Sequence, residues 1–172
     1  GSALAADGIA ANAFIATHVA AAAAGLTWAL VEWQQNGAPT ILGVCTGAVA
    51  GLATITPVCG FVNPMNTIFI GVLAAVFCYI AIAVIKAKLG YDDALDAFGV
   101  HGVGGIWGTI AVGLFAEKAV NAAGADGLLF GNGHQLLVQS RIVVVVSAFV
   151  AVMTSILIKL VDAVVGKRVD EE

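Results

Sequence analysis

TIFIGVLAAVFCYIAIAVI, Thr67–Ile85, is a run of nineteen residues without a single charged side chain. A helix of about 20 apolar residues crosses the ~30 Å hydrocarbon layer of a bilayer. This stretch therefore reads as a membrane span. Four segments of the same character surround it: about Gly8–Trp33 and Ile41–Val62 before it, and about Asp93–Phe115 and Gln139–Val165 after it. A segment in lipid has to satisfy its own backbone hydrogen bonds, which favours helices. A β-barrel would need short strands with alternating polar residues. Ala20–Gly25 and Ile142–Val146 show no such alternation. The expected fold is all-α, a five-helix transmembrane bundle over residues 1–172.

Composition agrees. The chain is 60% hydrophobic and 10% charged, whereas soluble domains run nearer half apolar and a quarter charged. A net charge of −4 offers no basic surface for nucleic acid. Cys45, Cys59 and Cys78 sit in apolar stretches and form no CxxC pair, so they read as small packing residues rather than metal ligands. The chain opens at Gly1 without a basic n-region, so no signal peptide is read and its start looks like an interior segment.

The connections set an orientation. With five spans, one side carries Lys86, Lys88, Lys167 and Arg168, and the other only Lys118 and Arg141. The positive-inside rule then places the C-terminus in the cytoplasm and Gly1 outside. Trp28 and Trp33 fall toward the inner end of the first span, where interfacial aromatics sit.

Within the spans, polar and small residues carry the information. Gly43, Gly47 and Gly51 recur every four residues, which puts them on one helix face and allows close helix packing. The fourth segment, DDALDAFGVHGVGGIWG (Asp92–Gly108), is the most unusual. Asp92 and Asp93 suit capping of a helix N-terminus. Asp96, one turn further in, fits a cap or a pore mouth. His101 lies about 12 Å into that helix, where an ionisable group is costly unless it faces protein or a cavity. Gly102, Gly104 and Gly105 leave room beside it, for other helices or for a narrow pore. Its imidazole fits proton handling near neutrality, a reading favoured over that of a buried structural histidine. His18, in the Ala-rich first span, reads as an interhelical hydrogen-bonder more than as a pathway residue.

FGVHGVGGIWG, at Phe98–Gly108 after Asp96, resembles the signature of the tenth transmembrane helix of the ammonium transporter family (Amt/Mep/Rh). Gly1–Ala3, Ile55–Val62, Gly133–Gln139 and Val165–Glu172 resemble the same family in the same order. The resemblance implies that the five spans are helices seven to eleven of an eleven-helix fold with inverted repeats, assembled as a trimer in the plasma (inner) membrane. It implies that ammonium is recruited and deprotonated at an outer site, then passes a hydrophobic pore lined by two histidines. His101 corresponds to the second of these, Ser2 to a vestibule serine, Thr56 to a position near the pore, and Asp96 to an acidic residue near the cytoplasmic mouth. The first pore histidine, the aromatic gate and the vestibule tryptophan would belong to a missing N-terminal half.

The expected activity is ammonium or ammonia transport in the complete protein, with no cofactor. An ammonium-binding sensor with the same fold is the alternative. The family also docks PII-type signalling proteins on its cytoplasmic face. No nucleophile–base set, metal-ligand spacing or nucleotide loop points to an enzyme.

Overall fold

A computed structural model of the chain describes residues 5–166. The chain runs through five long helices: α1 (Gly8–Asn36), α2 (Ile41–Ile55), α3 (Pro64–Leu89), α4 (Phe98–Phe115) and α5 (Gly133–Val165). No strand occurs among the described residues. α1, α3, α4 and α5 are long and apolar enough to cross a membrane, while α2 is apolar but shorter.

Local chemistry explains the ends. Asp7 accepts the Ala10 N–H at 2.9 Å to open α1, and Gly37, at φ +79°, closes it in a left-handed turn. Thr40 Oγ1 accepts the Gly43 N–H at 2.9 Å to open α2. That helix stops at Ile55, although the apolar run continues to Val62. Pro57 brings no N–H to the helical ladder. Instead the Val58 and Cys59 N–H groups both donate to the Ile55 carbonyl at 2.9 Å, and tight turns follow. Asn12 of α1 reaches across to these turns. Its Nδ2 donates to the Cys59 and Val62 carbonyls, each at 2.9 Å, pairing carbonyls that a broken helix leaves free. Asn63 caps α3, with Pro64 in its first turn.

α4 begins at Phe98, later than its apolar run. Asp93 accepts the N–H groups of Ala97, Phe98 and Gly99 at 2.9, 3.0 and 3.4 Å, so it acts as the cap from several residues upstream. Two helices are not α-helical throughout. α3 widens into π turns over Ile80–Lys86, and α4 opens with a π turn over Phe98–Gly102.

The core sits where α1 lies against α2 and α3. Small residues let the backbones approach. A Cβ on Gly47 would lie 2.5 Å from Trp28 Cβ, and one on Gly51 would lie 2.5 Å from the Ala20 carbonyl oxygen. One cluster gathers Ala16, Ala20, Ile55, Val58, Ile70 and Ala111. A second gathers Ala24, Trp28, Ala50, Ala75, Cys78 and Val100. Trp33 is exposed, as an interfacial aromatic would be, but Trp28 belongs to the core and stacks edge-on against Tyr79 at 5.3 Å.

α5 stands apart. It packs against α4 and the short turn Leu128–Phe130, and none of its residues is buried among the described residues. It is about 50 Å long at ~1.5 Å per residue. Its charge-free stretch, Ile142–Ile158, is fenced by Arg141 and Lys159.

Candidate functional site

Around His101, the faces of α4 divide by what they meet. Val100, Gly104, Gly108 and Ala111 are buried. A Cβ on Gly104 would meet Thr54 Oγ1 at 2.9 Å, and one on Gly108 would meet the Thr54 carbonyl oxygen at 2.1 Å. This side of α4 is pressed onto α2. His101 lies on another flank and is exposed. Gly105, one turn along, has open space where a Cβ would be, and Gly102 meets only the ring of Phe98 from its own helix. Of the three α4 glycines expected to pack helices, Gly104 alone does so within the described residues. Gly102 and Gly105 lie instead on the uncovered side that His101 shares.

That side continues into a groove of about 720 Å³ between α4 and α5. Phe98, Gly105, Ile106 and Thr109 form one wall. Val143, Val150 and the hydroxyls of Ser147, Thr154 and Ser155 belong to the other. The Ser155 hydroxyl donates to the Ala151 carbonyl at 2.7 Å and Thr109 to that of Gly105 at 2.9 Å, so these polar groups are already satisfied within their helices. The result is a largely apolar groove in which the hydroxyls of Thr109 and Ser155 are paired, next to an imidazole that has no hydrogen-bond partner among the described residues.

The other expected site residues are dispersed. Thr56 is exposed in the turn after α2, its hydroxyl donating to the Leu52 carbonyl at 2.7 Å. Asp96 is at the opposite end of α4 from that turn. It adopts φ +54°, a left-handed conformation that Asp tolerates better than most residues, and it pairs with Lys86 Nζ at 2.6 Å. Ser2, Lys167 and Arg168 lie outside the described residues. His18 is exposed, and its Nδ1 donates to the Phe14 carbonyl of its own helix at 2.9 Å. No interhelical bond of His18 occurs among the described residues, and its ring rests against Phe14 of its own helix at 4.3 Å.

Two carboxylates escaped the sequence reading. Glu32 is buried in α1 and accepts the Thr40 N–H at 2.8 Å, the Thr40 hydroxyl at 3.0 Å and the Trp28 indole N–H at 3.3 Å. Gly43 makes this possible, since a Cβ there would lie 2.1 Å from Glu32 Oε1. Glu117, just past α4, accepts from the side-chain amides of Asn63 and Asn66 and donates its own N–H to the Phe61 carbonyl at 2.8 Å. The asparagines flanking Pro64 were a legible hint of a polar clamp. Glu32 offered only a charge beside tryptophans. No group of three or more His, Cys, Asp or Glu able to hold a metal occurs among the described residues.

Comparison with known proteins converges on one family. The sequence model of the Ammonium Transporter Family matches residues 1–172. The ammonium transporter of Bacillus subtilis is 49% identical over 172 residues, covering 100% of this chain and 43% of that protein. Archaeoglobus fulgidus ammonium transporter Amt1 is 46% identical, again over 100% of this chain and 43% of that protein. The chain thus spans less than half the length of these curated relatives, and it matches their C-terminal part. Among solved structures, Saccharomyces cerevisiae Mep2 superposes with a TM-score of 0.87 at 33% identity, covering 91% of this chain and 37% of that one. A structure titled "Sensor Amt Protein" superposes with a TM-score of 0.86 at 29% identity, covering 98% of this chain and 41% of that one. With its whole sequence inside the family model and its helices laid out as in Mep2, this multi-pass membrane chain belongs to the ammonium transporter family.

Proposed function

We propose that this chain supplies one wall of an ammonium/ammonia pore, and that His101 is the hydrogen-bonding group of that wall. The observation that carries the reading is the placement of His101. It lies inside an apolar span, on the side of α4 left uncovered by the described helices, beside Gly105 and its open space. An ionisable side chain there needs a facing protein surface or a cavity. An upstream half would provide that surface and close the pore.

Chemistry favours a neutral cargo in such a pore. A bare cation loses its hydration in a dry, apolar channel at high cost, whereas ammonia does not. Ammonium would release its proton at an outer polar site, to which Ser2 contributes, and ammonia would pass Thr56 and then His101. The imidazole accepts a hydrogen bond from ammonia or holds the proton. K⁺ has no proton to shed and is excluded on chemical grounds. Asp96 and its partner Lys86 lie toward the cytoplasmic mouth. The complete protein acts as a homotrimer in the plasma membrane with its C-terminus inside, where a PII-type protein has a surface to dock.

The test is ammonium-evoked current in proteoliposomes, for this chain alone and for the chain joined to an upstream half, with and without His101→Ala. Current is expected only in the joined form, with a loss of at least about tenfold in the variant. A second reading has its own support in the superposition on the "Sensor Amt Protein". Ammonium binding by the joined protein without current would favour a sensor.

A further inference from the structure

Cys78, Ile82 and Lys86 form a stripe along α3, shown by what each of them touches. Each meets a different part of the segment that leads into His101. At the bottom of the stripe, Lys86 Nζ donates to Asp96 Oδ1 at 2.6 Å and to the Asp93 carbonyl at 2.5 Å. In the middle, Ile82 occupies the space over Gly99, where a Cβ would lie 2.4 Å from Ile82 Cγ1. At the top, the Cys78 thiol donates to the Val100 carbonyl at 3.8 Å.

The two helices are unusual at this same level. The π turns of α3 cover Ile80–Lys86, and the π turn of α4 covers Phe98–Gly102. A π turn adds a residue to the helical circuit, so every side chain within it points in a direction an α-helix would not give. His101 lies inside such a turn, immediately after Gly99 and Val100, its two buried residues. Asp96, just below, holds φ +54°. A non-glycine residue there is strained, even an Asp, and its surroundings have to hold it. The Lys86 ion pair is such a surrounding.

We infer that Lys86 is a positioning residue for His101: by holding Asp96, with Ile82 seated over Gly99, it fixes the rotation of the π turn and hence where the imidazole points. This rests on the reading of His101 as the pore histidine. A misplacement of about 1 Å, caused by a change remote from the chemistry, costs on the order of 100-fold. Loss of Lys86 therefore acts on flux without removing any group that touches the cargo.

The test uses the chain joined to an upstream half, in proteoliposomes. Lys86→Met, Lys86→Arg and Ile82→Val are read by ammonium-evoked current and by the ring ¹⁵N signals of His101, assigned by their loss in His101→Ala. Lys86→Met is expected to shift those signals and lower the current about tenfold or more. Lys86→Arg is expected to keep the unsubstituted signals and recover roughly half the current or better, since the guanidinium also binds a carboxylate. Should Lys86→Met not accumulate in the membrane, Ile82→Val, one methyl shorter over Gly99, is expected to shift the same signals. Unshifted His101 signals in either variant would overturn the inference, whether or not current falls, because Lys86 would then serve folding alone. Absence of current in the unsubstituted joined protein is a failure of the transport reading instead, and the ring signals still judge the positioning role.

Discussion

Gly43 and Glu32 show how much a single missing methyl group matters inside this bundle. Glu32 has three donors around its carboxylate, and the closeness of the Gly43 backbone is what lets it lie flat between α1 and α2. Gly43→Ala pushes a Cβ into the carboxylate and is expected to destabilise the fold by about 2 kcal/mol or more. Glu32→Ala removes the obstacle along with the hydrogen bonds. The double substitution should therefore fall short of the sum of the singles by roughly 0.5–3 kcal/mol, measured by reversible unfolding in mixed detergent micelles. The interval of four among Gly43, Gly47 and Gly51 made the close helix contact legible from sequence. It gave no sign that the first glycine accommodates a carboxylate while the next two accommodate Trp28 and Ala20. His101 was legible for the opposite reason: an ionisable residue in an apolar run stands out without any knowledge of its neighbours.

At the scale of the helices, apolar composition located the elements and misjudged where they stop. α2 ends at Ile55 because Pro57 interrupts the ladder, and hydropathy does not register that interruption. The two π turns were likewise invisible. In a uniformly apolar helix no polar face marks the period, so a widened turn leaves no trace in the residue pattern. Asn12 is the side chain that holds the end of α2 in place, through the Cys59 and Val62 carbonyls. Asn12→Ala is expected to cost about 1–2 kcal/mol, since two partly buried carbonyls lose their donor. Hydrogen exchange provides the check: amides of residues 56–62 should exchange faster, with those of α3 little changed.

For the molecule as a whole, α5 and the uncovered side of α4 form an apolar surface that the described helices do not enclose. The chain on its own is expected to associate through that surface and to elute from size exclusion in mild detergent as a mixture of oligomers. Joined to an upstream half, it should elute as one species, and the same mixed profile from both forms would contradict this. The segment order and the count of five helices came from the sequence. Which side of the bundle is left open did not, because it depends on three-dimensional packing of nearly identical apolar faces.

α5 also relates the chain to the thickness of its membrane. Arg141 and Lys159 are 18 positions apart, about 27 Å along a helix axis. That is slightly under the ~30 Å of an average hydrocarbon layer, so both cations reach the interfaces with their long side chains extended. A thinner bilayer lets the helix lean, while a thicker one draws its charges inward at fractions of a kcal/mol per Å. The spacing of the two cations thereby matches α5 to a layer of about that thickness, and α5 rests on α4, the helix that bears His101, and on the turn Leu128–Phe130.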